Sequence, residues 1–117
     1  MLDKYKKHKK DMYDRFVFTL NQCGEFLLKA TDEIIETCIF EDFDIGVRSD
    51  ICDNNLDIFI EEGWINEEIK EKCYRLRNLF LNLQGKSQIW NIQSVKISKD
   101  WRVILELSDE IKSLLYY

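Results

Sequence analysis

Thirteen carboxylates crowd one stretch of this chain, and acid–base chemistry is the first thing such residues could do. They are Asp32, Glu33, Glu36, Glu41, Asp42, Asp44, Asp50, Asp53, Asp57, Glu61, Glu62, Glu67 and Glu68, set against the single base Arg48, a local formal charge of −12. The flanks have the opposite sign. Residues 1–31 carry seven Lys/Arg against four Asp/Glu, and residues 69–117 carry nine against five. A net charge of −5 over 117 residues therefore conceals an acidic middle between two basic flanks. Two carboxyls in unlike environments can act as a general acid and base, but a set this dense forms adjacent pairs by chance, and a solvated acidic face is the simpler reading. His8, the one histidine, lies among lysines with no residue placed to orient it. Nucleophilic catalysis needs a Ser or Cys beside a base that a third group holds, and no position here is marked that way. The sequence predicts no catalytic residue and a non-enzymatic chain.

Metal chemistry is equally poorly served. Asp42, Asp44 and Gly46 alternate as in a calcium loop, which also needs Gly at its sixth position and a bidentate Glu at its twelfth. Counted from Asp42, those positions are Val47 and Asp53. Cys23, Cys38, Cys52 and Cys73 are dispersed, without the clustered thiolates of a zinc site. Each sits in an apolar or helical run and reads as a reduced, buried thiol of a cytosolic protein rather than half of a disulfide. No cofactor and no metal are predicted. Phosphate binding could use Lys4 to Lys10, or Lys70, Lys72, Arg75 and Arg77 on one helix. The −12 middle would repel a polyanion, so direct nucleic-acid binding is not expected.

Protein binding fits the charge pattern better. Like charges on one helix face cost a few tenths of a kcal/mol per pair, a cost that a basic partner would offset while gaining association rate and selectivity. Asp32, Glu33, Glu67 and Glu68 are accounted for by helix starts, where the dipole favours carboxylates. Glu36, Glu61 and Glu62 can each be ordinary solvated residues. The acids that folding does not explain are Glu41, Asp42 and Asp44 in a turn, and the ridge Asp50, Asp53, Asp57 and Glu61, which steps by three, four and four. These seven are the predicted partner-binding residues. Phe40, Phe43 and Trp64 are the nearest aromatic anchors, and they would serve equally well in a core.

Elements that could hold such a surface are legible from periodicity. The length suits one domain spanning residues 1–117, and the absence of Pro with only four Gly favours long helices. No apolar run reaches the roughly 20 residues of a membrane span, and the lysine-rich start lacks the apolar core of a secretory signal. Residues 2–29 read as one helix, or two joined near Gly24, with Tyr5, Met12, Phe16, Leu20, Cys23 and Leu27 on one stripe and Val17, Phe18, Phe26 and Leu28 widening it. Thr31 caps a second helix that ends by Asp42–Gly46. Ser49 or Asp50 caps a third, which buries Cys52, Leu56, Phe59 and Ile60 and stops at Gly63. Asn66 caps a fourth, with Ile69, Cys73, Leu76, Phe80 and Leu83 inward and its basic residues solvated. Residues 84–98 read as an apolar connector with Trp90 inserted, or a short strand within 89–97. Ser98 caps a last helix to Leu115. Together these elements predict an all-α, compact antiparallel bundle of about five helices.

The run from Val95 through Ser98, Trp101, Ile104, Leu105, Leu107 and Asp109 to Ile111, preceded by the helix carrying Leu76, Arg77, Leu79 and Phe80, resembles the closing pattern of small helical immunity proteins. These accompany bacterial polymorphic toxins, including those of contact-dependent growth inhibition. The resemblance covers residues 66–115. It implies a cytoplasmic antidote that binds one cognate toxin domain and blocks its active site. Many such toxins are basic nucleases, and an acidic antidote can mimic the charge of their substrate. Members vary at the toxin-facing surface, so no binding residue carries over, and the seven acids above rest on charge pattern alone. Two other classes stay open: an acidic nucleic-acid mimic or regulatory adaptor of phage or plasmid origin, and a small helical DNA-binding regulator. A membrane partner is not expected, and monomer and homodimer are both left open.

Overall fold

The computed structural model describes residues 2–115, with side chains from residue 7 onward; Lys4, Tyr5 and Lys6 of the sequence reading lie outside the described side chains. The architecture is an all-α bundle, as the periodicity predicts. Helix α1 spans Leu2–Asn21 and is followed by a 3₁₀ turn, Glu25–Lys29. A continuous helical rod then runs as α2 (Asp32–Ile35), a π-helical stretch (Glu36–Phe43) and α3 (Asp44–Ser49). Next come α4 (Asp53–Glu61), α5 (Glu67–Gln84), α6 (Ile92–Ile97) and α7 (Lys99–Leu115). Among the described residues no helix is long and apolar enough to cross a membrane.

The caps read from sequence are largely the caps observed. Thr31 Oγ1 accepts from the Ile34 amide at 3.3 Å, Asn66 Oδ1 from Ile69 at 2.9 Å, and Ser98 Oγ from Asp100 at 3.2 Å. Each satisfies an amide that a helix start would leave unpaired. Gly63 stops α4 with a φ of 75°, a left-handed conformation that costs Gly little. The third helix differs. It starts at Asp53 behind Cys52, with no side-chain cap, because Asp50 turns away to Thr19 and Ser49 bonds back to the Ile45 carbonyl.

Other departures have clear physical causes. Of the two readings of residues 2–29, the structure has the one with two elements joined near Gly24, the second of them a 3₁₀ turn. Phe18 and Phe26, expected to widen the buried surface, are 54% and 49% exposed. The second helix does not end at Asp42–Gly46. Gly46 continues it, because α1 approaches so closely there that a Cβ would overlap Thr19. The connector holds no strand: Asn91 caps the short helix α6 by accepting from the Ser94 amide at 2.8 Å. Cys23 and Cys73 are buried and Cys38 and Cys52 half-buried, all four as free thiols. Burial pushes the thiols of Cys23 and Cys73 up to about 12.

One core joins these elements. Helices α5 and α7 pack along each other, α1 lies against α7, α3 and α4, and α6 closes over α7. Phe16, Leu20, Phe43, Phe59, Phe80 and Trp101 are fully buried. Trp90 enters from the connector, with ring centroids 5.1 Å from Phe40, 5.2 Å from Phe80 and 5.6 Å from Trp101. The indole of Trp101 donates to the Ile89 carbonyl at 2.7 Å, which fixes the connector against α7.

Candidate functional site

The ridge predicted from Asp50 to Glu61 is largely neutralised by the chain itself. Asp50 precedes α4 rather than riding on it; its carboxylate accepts from Thr19 Oγ1 at 2.9 Å and lies 3.8 Å from Arg15. Asp53 meets Arg77 at 2.7 Å, and the same guanidinium donates to the Ile51 carbonyl at 2.9 Å, pinning the corner before α4 onto α5. Asp57 meets Lys70 at 2.8 Å. Beside Glu61, Glu62 takes Lys9 at 2.8 Å. These are cross-element pairs: Asp50 ties the end of α3 to α1, Glu62 ties the end of α4 to α1, and Asp53 and Asp57 tie α4 to α5. The hydrogen bond that the Lys70 ammonium donates to Asp57 is the main reason it is held above its ordinary range, and Glu62 does the same for Lys9. Lys70, Lys72 and Arg77, expected to be solvated, are instead the bases of such pairs, Lys72 with Glu110 at 2.8 Å.

The turn predicted at Glu41–Asp44 is not a turn but part of the helical rod, so its acids point in different directions. Asp44 is tied to Arg48 at 2.6 Å and to the Gln84 amide, joining α3 to the end of α5. Asp42 borders a surface cleft of about 300 Å³ with Phe18, Ile45, Arg15 and Asp50. Glu41 is exposed. Of the seven predicted binding residues, Glu41, Asp42 and Glu61 carry no ion pair among the described residues, while Asp44, Asp50, Asp53 and Asp57 do.

Charge left without an internal cation gathers elsewhere than the ridge. Asp32 pairs with Lys96 at 3.3 Å. Glu33, Glu36, Glu41 and Asp42, all on the rod from α2 through the π stretch, have no ion pair among the described residues. The rod also exposes two apolar side chains: Ile34 is 46% and Ile45 68% exposed. Glu36 and Phe40, one helical turn apart, form one wall of a second cleft, of about 370 Å³, whose other wall is Trp90, Asn91 and Ile92. Phe40 presents its ring edge-on to Trp90, at an interplanar angle of 88°. Phe43, by contrast, is core, stacked edge-on with Phe80 at 4.8 Å, and Trp64 packs on Tyr13 and Phe59.

The sequence reading assigned Glu33 and Glu36 to helix start and solvation and placed no function on them. The Glu36–Phe40 spacing of four was visible. Trp90, fifty residues further on, has no local signal that would bring it there. The π stretch did leave a trace. Ile35, Ile39, Phe43, Val47 and Ile51 are all fully buried and recur strictly every four residues. In a pure α-helix such a stripe drifts by about 40° per step and would leave the core. The wider π turn, with its i→i+5 bonds, drifts the other way and keeps the stripe inward. π-helical segments are rare and are found often at functional sites, which draws further weight to this rod.

The rod thus offers carboxylates, exposed aliphatic residues and two clefts on a rigid helical support. That combination suits recognition of a basic protein surface. No protein-family model, characterised protein or solved structure matches this chain.

Proposed function

We propose that this chain is a cytoplasmic immunity protein, a non-enzymatic antidote that binds a basic cognate toxin domain and occludes its active site. The observation that carries the reading is the distribution of charge after folding. Within the acidic middle, Glu33, Glu36, Glu41 and Asp42 have no ion pair among the described residues and stand on one helical rod that also exposes Ile34 and Ile45. Carboxylates beside apolar anchors give a partner both electrostatic steering and a desolvated centre. The likeness of residues 66–115 to helical immunity proteins supports the same class. The basic side chains Lys9, Lys70, Lys72, Arg77 and Lys96 are committed to carboxylates, which favours a protein partner over phosphate for this surface.

The binding surface is therefore the rod as a whole, whose acids Glu33, Glu36, Glu41 and Asp42 are set around it rather than along one face. The test is a pair of variants assayed against a cognate toxin domain. The rod triple Glu36→Gln, Glu41→Gln, Asp42→Asn should stay folded and lose at least about tenfold in affinity, mostly through a slower association rate at low salt. The ridge triple Asp53→Asn, Asp57→Asn, Glu61→Gln should lower thermal stability first, since two of its members hold α4 to α5. Full neutralisation by the folded rod triple would sink the surface. Tight DNA binding at low salt would replace the reading with that of a DNA-binding regulator.

A further inference from the structure

The cleft between the π-helical stretch and the connector has a composition that the surrounding acidic surface does not share. Its lining is Glu36, Phe40, Trp90, Asn91 and Ile92, with no cation among them. The Glu36 carboxylate has no ion pair among the described residues. The two aromatic rings stand edge to face at 5.1 Å, so the half-buried Trp90 cannot swing away without unpacking from Phe80 and Trp101. Asn91 is not a free polar group: its Oδ1 accepts from the Ser94 amide at 2.8 Å and its Nδ2 donates to the Gln88 carbonyl at 3.1 Å. It is a fixed wall. At about 370 Å³ the space lies at the small end of ligand sites, suited to one side chain rather than a folded element.

From this geometry we infer that the cleft is a receptor for one arginine side chain of the basic partner. This deepens the binding reading above and rests on it. Aromatic faces attract cations through their quadrupole, Trp most strongly. A guanidinium is flat and weakly hydrated, and it can stack on an indole while donating two hydrogen bonds to a carboxylate. Trp90, Phe40 and Glu36 line the same opening, so an aromatic wall and a carboxylate meet there. The unpaired neighbours Glu33 and Glu41 add negative potential around it. Lysine would be bound less well, because its ammonium holds its water more tightly and cannot stack.

The test uses the full chain and a short peptide as probe, acetyl-Gly-Arg-Gly-amide, followed by ¹H–¹⁵N correlation spectra. The peptide should shift the Trp90 indole and the amides around Glu36, Phe40 and Asn91, with a dissociation constant on the order of 10 mM. The uncharged citrulline analogue should shift none of them, and the Glu36→Gln variant should weaken the arginine response several-fold. The Glu36 side chain is exposed and holds no hydrogen bond or ion pair among the described residues, so that variant remains folded. Shifts located elsewhere, equal shifts with citrulline, or no indole shift as the peptide saturates other carboxylates would each overturn the assignment. Toxin binding separates the two readings. Neutralisation that persists in Glu36→Gln without any peptide response fails the cleft alone. A peptide response in a chain that binds no toxin fails the immunity reading and leaves the cleft.

Discussion

Ser108 shows how much one small polar side chain can do in this fold. It is fully buried on α7, and its hydroxyl lies 3.1 Å from the Leu20 carbonyl and 2.9 Å from that of Cys23. The Leu20 carbonyl belongs to the last turn of α1 and also accepts the Cys23 amide at 3.2 Å, while the Cys23 carbonyl lies in the bend just beyond the helix. Lys112, one turn along α7, donates to the same Cys23 carbonyl at 2.7 Å, placing a cation where the helix dipole is negative. Asp109 completes the joint by accepting from the Glu25 amide at 2.9 Å. Replacing Ser108 with Ala removes a donor from a dry site, yet Lys112 still serves one of the carbonyls. The expected loss is about 1–2 kcal/mol, read as a lower urea midpoint with an unchanged slope. A neutral result would mean that water or Lys112 fully replaces the hydroxyl. In the sequence, Ser108 interrupts an apolar face and carries no sign of its role, because its partners lie more than eighty residues away.

At the scale of elements, the rod from α2 to α3 carries the weakest local signal in the sequence. A stripe repeating every four residues fits neither the α period nor a strand, and the Asp and Gly residues within it resemble turn chemistry. Tertiary packing overrides both signals. Gly46 does not end the helix but allows α1 and α3 to touch, with Thr19 in the gap. Thr19 cannot retreat easily: it is 1% exposed and its hydroxyl is bonded to Asp50. Gly46→Ala should therefore destabilise by about 1–3 kcal/mol through overpacking, although Ala is the better helix former. Measuring the same substitution in a Thr19→Ala background checks the cause. The penalty should shrink markedly there, and an unchanged penalty would move its origin away from this crossing. The regular α-helices needed no such correction. In α5 the residues Ile69, Cys73, Leu76, Phe80 and Leu83 alternate steps of four and three, and all are buried as that spacing predicts.

For the molecule as a whole, charge segregation along the chain becomes charge pairing in space. The acidic middle and basic flanks that look like two binding surfaces in sequence are, in large part, two halves of one ion-pair network: Lys9 with Glu62, Arg15 with Asp50, Lys70 with Asp57, Arg77 with Asp53, Lys96 with Asp32. Sequence can count these charges but cannot pair them, since every partner lies on a different element. Lys70 offers the cleanest test that the network contributes to stability. Its ammonium meets Asp57 at 2.8 Å and stands 5.6 Å from the centre of the Tyr74 ring, so both contacts depend on its charge. Folding raises its pKa above the ordinary 10.5, chiefly through the Asp57 hydrogen bond. The folded state thus holds that proton more tightly than the unfolded state. The stabilisation is fully present below the unfolded value and is lost as pH rises through the higher folded value. The difference in melting temperature between the wild-type chain and Lys70→Met should accordingly stay constant from neutrality to about pH 10 and close above it. Added salt should narrow the same gap at neutral pH by screening the exposed side of the pair. A gap that persists unchanged into strong alkali would assign the effect of Lys70 to packing of its hydrocarbon stem. The network would then be a feature of solubility rather than of the fold.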